Sequence, residues 1–374
     1  MKPGPITIEN PRSRAEQEDF ARLPFVVYAD RKAWWPPDVQ NEVDLLARKS
    51  PLSPFLEIEP FVARRGGKTL ARVSAVVNHR YIDHCKEKLG QLIHFEALAG
   101  EDEAATTLLE AAIAWLRDRE MTSVRSGFAA FLDYPYAIDN YGGFPSFLLR
   151  GNPAYYHRYF KNAGFETERG QIDYTAQLSA DILARYRGMI DAAARSSVRI
   201  RSWREFGYLA AIDAWTDVTN EAFHDHWGWN PITEAEVRPM LTSLWETPVA
   251  ELSMIAMIDR RVVGAVFCVP DLSASLASLK RGVKLAPDQG GGTRGALINI
   301  GVRGEVRGRG VARAMAARSF TTMAHSGMRY AGYTLVLDDN WASRRTAESL
   351  GARVSGNFLT YRRNFRAPHP PAKT

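Results

Sequence analysis

The chain has 374 residues, 45% of them hydrophobic and 24% charged, with a formal net charge of +6. That length exceeds what one hydrophobic core ordinarily serves and favours two domains of about 180 residues each. The composition excludes a fibrous or wholly disordered chain, and no apolar run approaches the roughly 18 residues needed to cross a bilayer, which argues against a membrane partner.

The amino terminus, Met1-Lys-Pro-Gly-Pro, leads into the charged stretch 12–19 and lacks the apolar core of a secretory signal, so a cytoplasmic location is expected. Residues 55–63 and 69–77 read as a hairpin around Arg64-Arg-Gly-Gly-Lys68. Gly66-Gly67-Lys68-Thr69 has the look of a Walker tail, but position 62 is Val and strands lie on both sides, so the segment is read as a turn. A strand over 91–98 follows. Next comes a helix that Asp102 can cap, with Leu108, Ala112, Trp115 and Arg119 recurring at helical spacing, and then a short strand near Thr122. Residues 128–160 hold 11 aromatics in 33 positions, against 11% for the whole chain, which suits either an apolar substrate pocket or an interdomain core. This half closes on Asn152-Pro-Ala-Tyr-Tyr-His-Arg-Tyr159 and Gly164-Phe165.

The second half repeats the order. A helix over 179–194, with Leu183, Tyr186, Ile190 and Ala193 on one face, serves as connector. A strand over 197–203 precedes a largely helical stretch, 209–245, broken at Trp227-Gly-Trp-Asn-Pro231. A hairpin over 252–258 and 262–269 turns at Asp259-Arg-Arg261. A strand over 296–302, a glycine-rich loop, a helix to about 325, a strand over 333–337 and a short helix ending at Gly351 complete the chain. The same element order twice, roughly 190 residues apart, predicts duplicated domains, 1–180 and 181–374. Each is expected to be α/β in the α+β sense: a mixed, mainly antiparallel twisted sheet flanked by helices.

Cys85 and Cys268 are too far apart in sequence to suggest a disulfide framework or a metal knuckle, and no metal site is expected. Arginines are spread along the chain, so nucleic acid is not indicated; an anionic small molecule suits the charge equally well. The oligomeric state is not legible.

The chemistry concentrates in Val302-Arg-Gly-Glu-Val-Arg307-Gly-Arg-Gly310-Val-Ala312-Arg313, between a strand and a helix. Glycines in such a loop let successive backbone N–H groups point at one spot, and the helix adds its positive end, which makes an anion site. Arg307, Arg309 and Arg313 add charge, while Gly308 and Gly310 permit close backbone approach. A dinucleotide fingerprint fails because Arg313 stands where its third Gly belongs, and a Walker loop fails for want of G-K-[ST].

Arg307-x-x-Gly310-x-Ala312 resembles the [QR]-x-x-G-x-[GA] loop of the Gcn5-related N-acetyltransferase (GNAT) superfamily, and Asn340 to Gly351 resembles that family's later N-x(10)-G helix. The resemblance covers about 60 residues, and beyond them rests on element order. It implies acetyl-CoA or another acyl-CoA as cosubstrate, held by Arg307, Gly308, Arg309, Gly310, Val311, Ala312 and Arg313, with Asn340 and Ser343 along the pantetheine arm. Backbone at Ile300 to Val302 would meet the thioester oxygen. It further implies transfer of an acetyl or other acyl group to an amine of a small molecule or peptide. The N-terminal half resembles a degenerate copy in which Gly100-Glu-Asp-Glu103 replaces the phosphate loop. Tandem arrangements with one working copy occur in mycothiol-synthase-like, peptidoglycan-bridge and N-myristoyl transferases, and the C-terminal working copy is most similar to the first. Asn152-Pro-Ala-Tyr-Tyr and Trp227-Gly-Trp-Asn-Pro231 are similar to segments shared by a group of bacterial proteins.

Two positions depart from the family. Ala347 stands where many relatives carry an acidic Tyr, and Asn299 where they often carry a basic Glu. Asp338, Asn340, His226 and Tyr361 are the candidates to supply acid and base. Two rival readings stay open: a CoA-binding regulatory module without turnover, and a transferase drawing on acyl carrier protein or aminoacyl-tRNA.

Overall fold

The described residues form thirteen strands: β1 (Thr7–Glu9), β2 (Leu56–Arg65), β3 (Lys68–Asn78), β4 (Leu89–Ala97), β5 (Ser123–Ser126), β6 (Tyr136–Ala137), β7 (Glu166–Gln177), β8 (Val198–Ser202), β9 (Met254–Ile258), β10 (Arg261–Pro270), β11 (Arg294–Val302), β12 (Tyr330–Leu337) and β13 (Arg353–Asn364). Along several of them, β3, β4 and β10 above all, burial is continuous rather than alternating. The computed structural model describes residues 4–31, 33–34, 36–144, 146, 149, 151–281 and 293–365; Met1 to Pro3 and Phe147 of the aromatic stretch lie outside them.

Continuous runs imply cover on both faces. In the N-terminal half, Leu108, Leu109, Ala112, Ile113 and Leu116 of the helix Asp102–Arg117 pack on one side, with Val73, Ala75 and Phe95. Phe20, Leu45 and Leu46 pack against Val62, Val76 and Ile93 on the other. These last come from two helices the sequence pattern does not reveal, Arg14–Val27 and Val39–Leu46. Their starts are sound: Ser13 and Glu16 form a reciprocal capping box, and Asp38 accepts from the first-turn amides of the second. In the C-terminal half, helices Ala180–Arg195 and Val311–His325 cover one face and Tyr208–Ala222 the other. The helix predicted from Asp102 has no side-chain cap; Asp102 instead pairs with Arg158.

All these strands join one sheet, in the order β1-β2-β3-β4-β5-β13-β7-β12-β11-β10-β9-β8, with β6 beside β13. Pairing is antiparallel except for β4 with β5 and β11 with β12. The order reveals an exchange. β7, the final strand of the N-terminal half, pairs with β12, while the last strand, β13, lies between β5 and β7. Each half thus lends the other a strand. Across this seam the buried guanidinium of Arg125 on β5 meets Glu168 on β7 through two bonds of 2.7 Å, a geometry that compensates both charges.

Candidate active site

The site begins where two parallel strands part. β11 and β12 pair from Arg294 and Tyr330 to Leu297 and Tyr333, and then separate. Beyond that point β11 keeps its outer partner β10 as far as Val302, skipping Ile298 at a bulge, and β12 keeps β7 as far as Leu337. Among the described residues no strand pairs the inner edge of β11 over 298–302. That edge faces a cleft of about 1030 Å³.

One end of the cleft is the glycine loop. Gly308 and Gly310 have φ of 76° and 78°, left-handed values that explain why glycine stands at both. Gly310 is also the N-cap of Val311–His325, and no side chain caps that first turn. The amides there are free to meet an anion. Arg307, Arg309 and Arg313 are exposed around them, and Arg307 also donates to the Ala222 carbonyl at 3.1 Å.

The other end is a wall held by the N-terminal half. The segment after Tyr208–Ala222 carries His224, His226, Trp227 and Trp229. Arg125 lies 4.3 Å over the Trp227 ring, and Phe128 meets that ring at 5.1 Å. His84 donates to the His224 carbonyl at 2.7 Å, and Arg80 donates to the Pro231 carbonyl and pairs with Glu236. Within this wall, Nδ1 of His226 lies 3.1 Å from the Trp227 carbonyl. A carbonyl only accepts, so Nδ1 carries the proton and Nε2 presents a lone pair. Burial holds the imidazole pKa below its ordinary value.

The structure brings most of the sequence candidates together. Ile300, Val302, Arg307, Gly308, Arg309, Gly310, Val311, Ala312, Arg313, Asn340, Ser343 and His226 all line this cleft. Asn340 also caps the short helix Trp341–Ser349, accepting from the Ser343 amide at 3.1 Å. Asp338 is exposed and folds over Gly170, where a Cβ would lie 2.4 Å from its Oδ2; it is not among the cleft-lining residues. Tyr361 needs correction as a cleft acid. It sits in the N-terminal core, stacked at 4.9 Å on Phe160, and its hydroxyl donates to Nδ1 of His157, because β13 carries it across the seam.

The departures also have a structural account. Ala347 is fully buried in the core beneath the short helix, and Asn299 Oδ1 accepts from Trp215 Nε1 and Thr219 Oγ1, bracing Tyr208–Ala222 on the sheet. A residue the motifs do not mark is Tyr333. It lines the cleft where the strands part, its hydroxyl is 3.0 Å from Ser343 Oγ, and burial pushes its pKa up to about 12.

In the N-terminal half, β4 and β5 part in the same way after Leu92 and Ser126, but protein fills the gap. The Tyr155 hydroxyl donates to the Ala97 carbonyl, that of Tyr156 accepts from the Ala97 amide, and that of Tyr159 donates to the Leu98 carbonyl. Glu101 and Glu103 pair with Arg65. The tyrosines of the aromatic stretch thus occupy the space that is open in the C-terminal copy.

Comparison with known proteins agrees with this geometry. Residues 212–352 match the model of the Acetyltransferase (GNAT) family. The C-terminal part of the chain is a GNAT domain. A bacterial ceramide synthase from Caulobacter vibrioides is 27% identical over 274 residues, 72% of this chain and 71% of that protein. Protein YghO from Escherichia coli is 19% identical over 70% of this chain and 67% of its own length. Among solved structures, a tandem GNAT protein from the clavulanic acid biosynthesis pathway covers 96% of this chain and 98% of its own, with TM-score 0.57 and 11% identity. A glucosamine N-acetyltransferase region of a fungal multi-domain β-N-acetylglucosaminidase gives TM-score 0.61 at 15% identity; this chain spans 38% of that longer one. The fold is therefore that of tandem GNAT proteins, joined here in one mainly antiparallel sheet.

Proposed function

We propose that this chain is an acyl-CoA-dependent N-acyltransferase that acylates an amine directly, in a ternary complex within the C-terminal cleft. The observation that carries the reading is the unpaired edge of β11 running to an uncapped helix start ringed by arginines. The loop from Arg307 to Arg313 would hold the pyrophosphate, and backbone at Ile300 to Val302, with Asn340 and Ser343, would hold the acyl-pantetheine arm. Acyl-CoA, when bound, supplies the reactive thioester carbonyl. His226 Nε2 takes a proton from the ammonium, so that the amine lone pair attacks that carbonyl. As the amide bond forms and the C–S bond breaks, the attacking nitrogen sheds its second proton and the leaving sulfur takes one up through the Ser343–Tyr333 hydroxyl pair, which ends as it began; the products are the amide, the CoA thiol and the one proton held by His226. This pair replaces the acid that Ala347 cannot be.

The Caulobacter relative, by its name, makes ceramide, an N-acylated lipid amine. The apolar wall of Phe128, Phe223, Trp227, Leu335 and Leu337 supports the same choice here, a long acyl chain and a lipid-like amine rather than acetyl and a peptide. Reliance on acyl-CoA favours the cytoplasm.

The test is thiol release on mixing the protein with acyl-CoAs from acetyl to palmitoyl and a panel of amines. We expect amine-dependent release that rises with acyl length. Binding of acyl-CoA without release from any amine would instead mark a regulatory module, and release only from acyl carrier protein or aminoacyl-tRNA would replace CoA as donor.

A further inference from the structure

One buried polar side chain on the cleft wall is idle in the chemistry described so far. Gln171 lies on β7, the strand lent by the N-terminal half, opposite Leu337 of β12 and Phe358 of β13. It is 2% exposed and lines the cleft, yet its carboxamide makes no hydrogen bond among the described residues, and its enclosed Nε2 has no partner. Buried amides are nearly always satisfied, because leaving one unmet forfeits its hydration for nothing. An unmet one on a binding wall marks a ligand contact.

Its surroundings say which ligand. Strand alternation places Arg169 on the same face of β7 as Gln171, and the register is unbroken between them. Arg169 pairs with Asp339, and both act electrostatically on His226. The idle carboxamide therefore shares the part of the cleft that holds the base. A carboxamide both donates and accepts. A hydroxyl or an amide does both in return, whereas a methylene meets neither demand and a carboxylate meets only the N–H. The pantetheine amides have their proposed partners on β11 and the Asn340 helix, which leaves a hydroxyl of the acceptor for β7.

We infer that Gln171 reads a hydroxyl on the acceptor, which is then a hydroxyl-bearing amine rather than a plain alkylamine. This rests on the acyltransferase reading and adds the acceptor's class to it. Gln171 binds the acceptor and takes no part in proton transfer.

The experiment compares a long-chain 2-amino alcohol with the alkylamine of equal chain length, at saturating acyl-CoA, by initial rates of thiol release. The wild type should favour the amino alcohol in kcat/KM by at least about tenfold, since a site built around a hydroxyl discriminates against its absence. In Gln171→Met, of similar volume, that ratio should fall to near one through a rise in the amino alcohol's KM. Gln171→Glu, which still accepts from the hydroxyl, should keep part of the preference. Equal preference in the wild type, or variants that slow both amines alike, overturns the assignment of Gln171 alone. Thiol release from neither amine overturns the acyltransferase reading and this inference with it.

Discussion

In the proposed reaction, His226 concentrates the chemistry at the scale of single residues. Its Nδ1 proton is fixed by the Trp227 carbonyl, and burial disfavours the imidazolium. Protonation of Nε2 abolishes a base, so activity falls as pH drops through the imidazole pKa. Because burial lowers that pKa from 6.5, the acidic limb of kcat/KM should have its midpoint below 6.5. His226→Gln should lose about 10²- to 10⁴-fold in kcat/KM and the limb with it; a variant that keeps the limb would assign the base elsewhere. The sequence offered His226 only as one of four candidates. What favours it in the proposal is its place in a cleft wall built from both halves, which no local pattern encodes. Asp338 and Tyr361 were candidates on the sequence as well, but one folds over Gly170 and the other is carried by β13 into a different core.

At the scale of elements, the glycine loop and the short helix were legible because their demands are local: positive φ at Gly308 and Gly310, and a cap at Asn340. The aromatic stretch was legible only as something that packs. Its tyrosines pack where β4 and β5 part, with their hydroxyls serving the end of β4 and the carboxylate of Glu96. Tyr156→Phe would remove the hydroxyl that the Ala97 amide donates to and one of the donors to Glu96, which keeps Tyr28. We expect a loss of about 1–3 kcal/mol in denaturant unfolding, with acyl-CoA affinity unchanged because that cleft is in the other half. A weakened affinity without a stability loss would contradict this account. The helices Arg14–Val27 and Val39–Leu46 escaped notice because their apolar stripes are narrow, with only a few residues buried in each.

For the whole molecule, the sequence repeat foretold two copies but not their joining. β7 carries Gln171, Asp173 and Thr175 among its apolar residues and reads poorly as a strand on its own; it forms because β12 and β13 pair with it on either side. We retain 1–180 and 181–374 as the proposed division, with the exchange as its consequence. Cutting at 180 strands β7 with one fragment and β13 with the other, leaving long unpaired edges. Expressed alone, neither fragment should melt cooperatively; expressed together, they should copurify and bind acyl-CoA. An independently folded 181–374 would show the exchange to be dispensable.

The proposed acyl-CoA site lies at the uncapped start of Val311–His325, and thermal unfolding with added acyl-CoA tests it most directly. A ligand at 100 times its Kd stabilises the folded state by about 2.7 kcal/mol, so the wild type should melt several degrees higher. Gly310→Glu puts a side chain on a left-handed residue and a carboxylate where the pyrophosphate would lie, and should abolish the rise. No shift with any acyl-CoA, or the same shift in Gly310→Glu, would contradict the account.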